Sequence, residues 1–340
     1  MLEIIVGGFF GDEGKGKITA YLALKASASL AVRCGAVNAG HTVTFNGRKY
    51  GLRVVPSAFV NPNTVLAVAP GALVRLDVMS REVAGTGVEG RFFLDRNTGI
   101  IEESHVERER ADARLSGVIG STLQGVGAAM SDRVFRRLRL AKDFQKLEGM
   151  LTDVSEEVHE KLHGGETVLV EGTQGTYLSL YHGTYPYVTS RDTTASAFAS
   201  EVGVGPKDVD EVIVVFKAYV TRVGAGPLPG ELSESEAERL GWSEVATVTG
   251  RARRAAPFNP ELARRAVMLN SATQAAVTKV DVLFPEAKGV REWGKLPREV
   301  RNWVDLVEGF IGVPVTLIGT GPNPEEVVDR RAELGFKPQA

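Results

Sequence analysis

A stretch near the start of the chain has the residue types and spacing to hold a phosphate. Gly7-Gly8-Phe9-Phe10-Gly11-Asp12-Glu13-Gly14-Lys15-Gly16-Lys17 combines glycines with two lysines. Glycines let backbone N–H groups come close to an anion, and a helix N-terminus adds partial positive charge. Lys15 and Lys17 bring full charges. Gly11 to Lys17 fits the opening of the pattern G-x-x-x-x-G-K-[ST], but Ile18 stands where a hydroxyl would hold magnesium. Asp12, a carboxylate inside the loop, is the substitute ligand. Phe9 breaks G-x-G-x-x-G, which argues against a dinucleotide fold.

Three other clusters could do chemistry with this loop. Thr278-Lys279-Val280-Asp281 resembles the guanine-specificity element of GTP-binding proteins. A carboxylate accepts from both N1–H and the 2-amino group of guanine, and adenine offers neither. His41 lies in a loop of small residues after a strand. Its imidazole can donate to a transferring phosphoryl group, so Asp12 and His41 give a base and an acid at one centre. The Gly40 carbonyl offers a second hard oxygen for Mg²⁺ beside Asp12. Thr249-Gly250-Arg251-Ala252-Arg253-Arg254 clusters arginines, whose forks bind carboxylates in a bidentate way.

The elements that must position these residues alternate. Leu2–Val6, Leu30–Arg33, Val65–Val68, Phe92–Leu94, Val168–Val170, Val212–Phe216, Ala275–Val277 and Val313–Ile318 read as strands, the last ending the sheet. Asn46-Gly47 marks a hairpin between 42–45 and 49–55. Helices are expected from Ile18 onward, at 75–84, 104–114, 195–202, 260–271 and 297–308. Apolar residues from Phe144 to Leu162 recur at three- and four-residue steps and predict one amphipathic helix. Residues 117–130 are expected to be a long functional loop. The pattern predicts a single α/β domain over 1–340, with a mostly parallel central sheet, helices on both faces and a P-loop-NTPase-like phosphate loop. Its site should lie at the carboxyl ends of the strands.

Composition bounds the function. A length of 340 residues with 43% hydrophobic content supports a large core. The formal net charge of -2 points to neither nucleic acid nor a membrane surface. The single cysteine, Cys34, excludes a disulfide framework and a cysteine-based zinc site. A cytoplasmic protein is expected, without signal peptide or membrane span.

Taken together, the motifs resemble the adenylosuccinate synthetase family, in a short form, from Gly7 to Pro322. Gly11-Asp12-Glu13-Gly14-Lys15-Gly16-Lys17 is similar to that family's opening signature, with Phe10 where Trp is usual. Asn38-Ala39-Gly40-His41-Thr42 resembles its Asn-Ala-Gly-His-Thr. The resemblance implies ligation of L-aspartate to IMP with GTP and Mg²⁺, through a 6-phosphoryl-IMP intermediate, in AMP biosynthesis. It implies GTP contacts at Gly11, Glu13, Gly14, Lys15, Gly16, Lys17, Gly40, Thr42, Lys279 and Asp281, and at Gly319, Thr320 and Gly321. For the other substrates it implies Asn38, Thr122, Arg136, Gln174, Thr189, Thr249, Arg251 and Arg253. Arg136 would reach across a homodimer. Tyr181, Gln124 and Val248 depart from the family's usual Asp, Arg and Thr. Another GTP-dependent ligase, or a non-catalytic GTP-binding switch, remains an alternative.

Overall fold

A computed structural model describes residues 1–245 and 250–336. Thr249 and Val248 therefore lie outside the described residues.

The sheet has ten strands, numbered here in chain order. They are β1 (Leu2–Gly7), β2 (Leu30–Arg33), β3 (Val65–Val68), β4 (Phe92–Asp95), β5 (Leu151–Thr152), β6 (Val168–Glu171), β7 (Glu211–Lys217), β8 (Gln274–Thr278), β9 (Val315–Gly319) and β10 (Val327–Asp329). Their spatial order is β10-β9-β8-β7-β1-β6-β2-β3-β4-β5. Every pairing is parallel except β9 with β10. β1 is buried along its whole length, as expected of a central strand covered on both faces by helices. The chain starts at the centre and builds one wing. It then returns with β6 and crosses to build the other wing. That reversal beside β1 opens a crevice at the carboxyl ends, where α/β sheets bind ligands.

Register decides which side chains meet there. The last residue of β6, Glu171, pairs with Arg33, the last of β2. The last residue of β7, Lys217, pairs with Thr278, the last of β8. Four polar side chains thus end four buried strands on the same edge.

The structure corrects the sequence reading in several places. The helix expected from Phe144 to Leu162 is split. Short 3₁₀ turns at Ala141–Asp143 and Gln145–Met150 lead into β5, and only Val154–His163 is α-helical. Asp153 accepts from the Glu156 N–H and starts that helix afresh. The stretch 117–130 is not one loop. A π-helical turn covers Leu115–Ile119, and an α-helix runs from Val126 to Val134. β9 is not the last strand, because β10 returns antiparallel beside it. The short ribbon of Tyr219–Arg222 with Arg254–Pro257 was not expected either. The Asn46-Gly47 hairpin forms as expected, joining His41–Phe45 to Arg48–Leu52.

Candidate active site

The loop after β1 feeds helix α1 (Lys15–Lys25). Gly14 caps that helix with φ +91, a left-handed value that a side chain would strain. A Cβ on Gly16 would meet Ser57 Oγ at 2.8 Å and His41 Cβ at 2.9 Å. Gly16 is therefore what lets the helix start pass close to His41. Asp12 holds φ +63, unusual for a residue with a side chain and typical of strained functional loops.

Glu13 does not face the cavity. Its Oε1 accepts from the Phe9 and Gly11 N–H groups at 3.0 and 2.8 Å, and its Oε2 pairs with Lys15 Nζ at 2.7 Å. Its carboxylate thus shapes the loop from beneath, leaving only the backbone of Glu13 to meet a ligand. Lys15 also donates to the Gln174 carbonyl. Lys17 donates to the Gly321 carbonyl and, at 2.7 Å, to that of Glu326. It thus ties the phosphate loop to the turn after β9. Burial lowers its pKa to about 8.

His41 is backed by three residues that sequence reading missed. Its Nδ1 lies 2.5 Å from Glu171 Oε1 and 2.6 Å from Arg33 Nη1. Arg33 Nη1 also donates to Glu171 Oε1 at 2.8 Å, and Ser57 donates from both N and Oγ at 2.7 and 2.6 Å. Burial alone would raise the Glu171 pKa, but Arg33, His41 and Ser57 hold it down to about 2. Burial, with the Arg33 charge, drops His41 to about 3. Nδ1 thus sits between an acceptor, Glu171, and an obligate donor, Arg33, and the two contacts call for opposite tautomers. Nε2 is buried and has no partner.

The other side of the cavity is organised by Glu244, also missed. Its carboxylate receives Lys217 Nζ at 3.1 Å, Lys279 Nζ at 3.5 Å, the Tyr219 hydroxyl and Arg253 Nη1. Arg253 Nη2 lies 2.8 Å from Asp12 Oδ1. Burial raises the Asp12 pKa, with Arg253 and Lys217 offsetting part of the rise. Strand ends and spacing could have flagged Glu171 and Lys217. Nothing local marks Glu244.

One cavity of about 1070 Å³ collects most of the expected residues. It is lined by Gly11, Asp12, Gly14, Lys15, Gly16 and Lys17 from the phosphate loop, and by Asn38, Gly40, His41 and Thr42. Thr122, Gln174, Thr189, Arg251, Arg253, Lys279, Asp281 and Gly321 complete the wall. Asn38 Oδ1 and Gln174 Oε1, like His41 Nε2, are buried without partners. Native interiors seldom leave such atoms unpaired, so they mark where a polar ligand belongs. Asp12 and the Gly40 carbonyl share this wall and suit a hard cation completed by phosphates. The described residues hold no cluster of three His, Cys, Asp or Glu for a metal.

Some expected residues are not brought in. Gly319 and Thr320 lie outside the lining, and Thr320 Oγ1 bonds the Val290 carbonyl at 2.7 Å. Arg136 is exposed in a turn after the Val126–Val134 helix, at φ +60, also outside the lining. It is neither on a helix nor in its own chain's cavity. Tyr181 is 75% exposed and contributes nothing to the cavity. Gln124 accepts from Arg53 Nη2, so a guanidinium does stand there, carried by another segment.

Comparison with known proteins follows this geometry. The family model described as adenylosuccinate synthetase matches residues 4–145 and 138–288. An adenylosuccinate synthetase from Methanocaldococcus jannaschii is 51% identical over 335 residues, covering 97% of both chains. The fully ligated adenylosuccinate synthetase structure from Plasmodium falciparum superposes with TM-score 0.88 at 23% identity, over 96% of this chain and 99% of that one. At that identity it speaks for the fold. The succinoaminodeoxyadenylate synthetase of cyanophage S-2L, bound to dGMP and dATP, gives TM-score 0.81 at 26% identity over 98% of this chain and 97% of that one.

Proposed function

The chain belongs to the adenylosuccinate synthetase family, GTP-dependent ligases that join IMP to aspartate in AMP biosynthesis, and we propose that it does so through 6-phosphoryl-IMP with Asp12 and His41 at the reacting atoms. Adenylosuccinate, GDP and phosphate are the products. The observation that carries the assignment of roles is the wall itself. A strained carboxylate, and an imidazole, an asparagine and a glutamine that each hold a buried atom without a partner, line one cavity beside a phosphate loop.

The purine O6 is a poor leaving group and must be activated. Asp12, a carboxylate held in the cavity wall, takes the N1 proton of IMP. The electron pair moves to O6, which attacks the γ-phosphorus, and the bond to GDP breaks. Lys15, Lys17 and the N-terminus of α1 stabilise the charge on the transferring group. With Nδ1 accepting from Arg33, the neutral His41 ring carries its proton on Nε2 and donates it as a hydrogen bond to the transferring group. The amine of aspartate then attacks C6, loses a proton, and phosphate leaves with O6.

Mg²⁺, held by Asp12 and the Gly40 carbonyl, would neutralise phosphate charge when bound. Asp281 takes the guanine N1–H and 2-amino group, with the Lys279 stem along the base and Gly321 supplying backbone, while Gly319 and Thr320 support that turn from outside the cavity. Asn38, Thr122, Gln174 and Thr189 hold IMP. Arg251 and Arg253, with Thr249, hold aspartate and ribose. Arg136 completes the site of a second copy in a homodimer. Its exposure outside its own cavity supports this, as do exposed Val134 and Phe135 next to it, at 68% and 64%. A lone buried thiol, Cys34, suits the cytoplasm.

The test is an absorbance assay for adenylosuccinate with each of GTP, IMP and aspartate omitted in turn. Product must require all three. GTP consumption without IMP or aspartate would point to another acceptor. For the dimer, inactive Asp12→Asn and Arg136→Ala proteins should regain activity when mixed, because one site of the hybrid is intact. No recovery would remove Arg136 from the partner's site.

A further inference from the structure

Asp12 and Lys279 line the same cavity in different proposed roles, one at the reacting atoms and one at the guanine element. They are nevertheless joined by an unbroken run of charged contacts. Asp12 Oδ1 meets Arg253 Nη2 at 2.8 Å, Arg253 Nη1 meets Glu244 Oε2, and Glu244 Oε1 meets Lys279 Nζ at 3.5 Å. Lys217 pairs with Glu244 Oε2 at 3.1 Å, and its Nζ also donates to Thr221 Oγ1 at 2.6 Å. The backbone locks the same pair, since the Arg253 N–H donates to the Glu244 carbonyl at 2.9 Å.

The members differ in freedom. The side chains of Lys217, Arg253 and Glu244 are 2%, 8% and 15% exposed, whereas that of Lys279 is 47% exposed and makes the longest contact. Lys279 is thus the one member that a ligand can move without unpacking the interior. Three cations compete for one carboxylate. Withdrawing the Lys279 ammonium leaves Glu244 a stronger partner for Arg253. Arg253 is at the same time the residue that occupies Asp12.

We propose that Glu244 is a positioning residue that couples guanine-nucleotide binding to the state of Asp12. A base lying against the Lys279 stem draws its ammonium from Glu244. Glu244 then holds Arg253 more tightly, and Arg253 loosens its grip on Asp12. The carboxylate is freed for IMP, and the arginine loop is set for aspartate. This rests on the substrate assignment made above. The coupling is a free energy between two sites, so it must act equally in both directions.

GDP is titrated by calorimetry into the IMP-saturated enzyme with and without L-aspartate, and L-aspartate with and without GDP. In the wild type each ligand should tighten the other by the same factor, about fivefold or more. In Glu244→Gln the factor should fall to within about twofold of one. Tyr219→Phe removes one donor to Glu244 and keeps every charge, so it should lose part of the factor, and it serves if Glu244→Gln does not fold. Glu231→Gln, an exposed ion-pair partner of Arg254 away from this run, should keep the full factor. Wild-type coupling retained in folded Glu244→Gln overturns the proposal, as does weaker binding of each ligand with an unchanged factor. A wild-type factor of one overturns it also. If the wild type binds GDP, IMP and aspartate and makes adenylosuccinate, such a failure leaves the substrate assignment standing. If it does not bind them, the assignment falls and the coupling with it.

Discussion

Glu171, fully buried, and Glu244, half-buried, each gather several donors around one carboxylate, and they are built in opposite ways. Glu171 ends a central strand and is 0% exposed. Its main partner, Arg33, sits beside it by sheet register. Glu244 lies on a segment outside any strand, and its donors come from the end of β7, the turn after β8 and the ribbon at Arg253. The first arrangement fixes an imidazole in one pose. The second can redistribute its contacts when a ligand arrives. Rigid elements place the reacting groups, and looser ones report on what is bound.

Asp12 touches the loop-borne side through Arg253 and serves the strand-borne side as the base, so removing its charge tests where the chemistry sits. Asp12→Asn should lose about 10² or more in kcat, the scale of a positioned base. Turnover close to wild type would take Asp12 out of the proton transfer.

Next in size is the contrast itself. Glu171→Ala leaves Arg33 buried without its partner, a loss of about 3–5 kcal/mol in such pairs. It should lower the melting temperature by several degrees and kcat together. Glu244→Ala also strands a buried cation, Lys217, but Arg253 keeps Asp12 and Lys279 reaches water, so its thermal loss should be the smaller of the two and its kinetic effect should fall mainly on KM. Equal thermal losses in the two variants would erase the distinction between a strand-fixed and a loop-borne hub.

Asp281→Asn sharpens the loop-borne side. It removes a charged acceptor from guanine, worth about 1.5–3 kcal/mol, so KM for GTP should rise roughly tenfold or more with little change in the KM for IMP. A parallel rise for IMP would mean that the turn after β8 is structural.

Glu3 supplies a control, a buried carboxylate outside the cavity lining. Arg331 Nη1 is 3.8 Å away, and Glu3 Oε2 has no partner. Burial, only partly offset by Arg331, pushes its pKa from 4.5 up to about 7. Below about pH 4.5 it is neutral in both folded and unfolded chain and costs nothing. Between 4.5 and 7 the unfolded chain ionises first, so stability falls as pH rises. Above 7 the penalty is constant, at most on the order of 3 kcal/mol from that shift. Glu3→Gln should therefore raise the melting temperature at pH 8 and leave it nearly unchanged at pH 4.5. A gain of equal size at both pH values would contradict the burial argument.

The strand–loop–helix at the start of the chain and the succession of apolar runs that become parallel strands were legible from residue order alone. These are local facts. Glycine conformations, β-branched runs and a helix N-terminus act over a few neighbouring residues, so they are legible in Gly7 to Lys17 and in Thr278 to Asp281. Even there the inward turn of the Glu13 carboxylate was not legible, because whether a loop side chain faces in or out depends on what packs beneath it. Periodicity failed from Phe144 to Leu162 for a related reason. A capping aspartate and a short edge strand broke a pattern that an uninterrupted helix would also satisfy. What only the tertiary structure decided is which distant charges meet. Arg33 with Glu171, Ser57 behind them, and Glu244 between Lys217, Lys279 and Arg253 are set by sheet register and chain crossing, across separations of up to 138 residues. Burial then makes each such pairing obligatory, since a charge removed from water must find its counter-charge wherever the fold has put it.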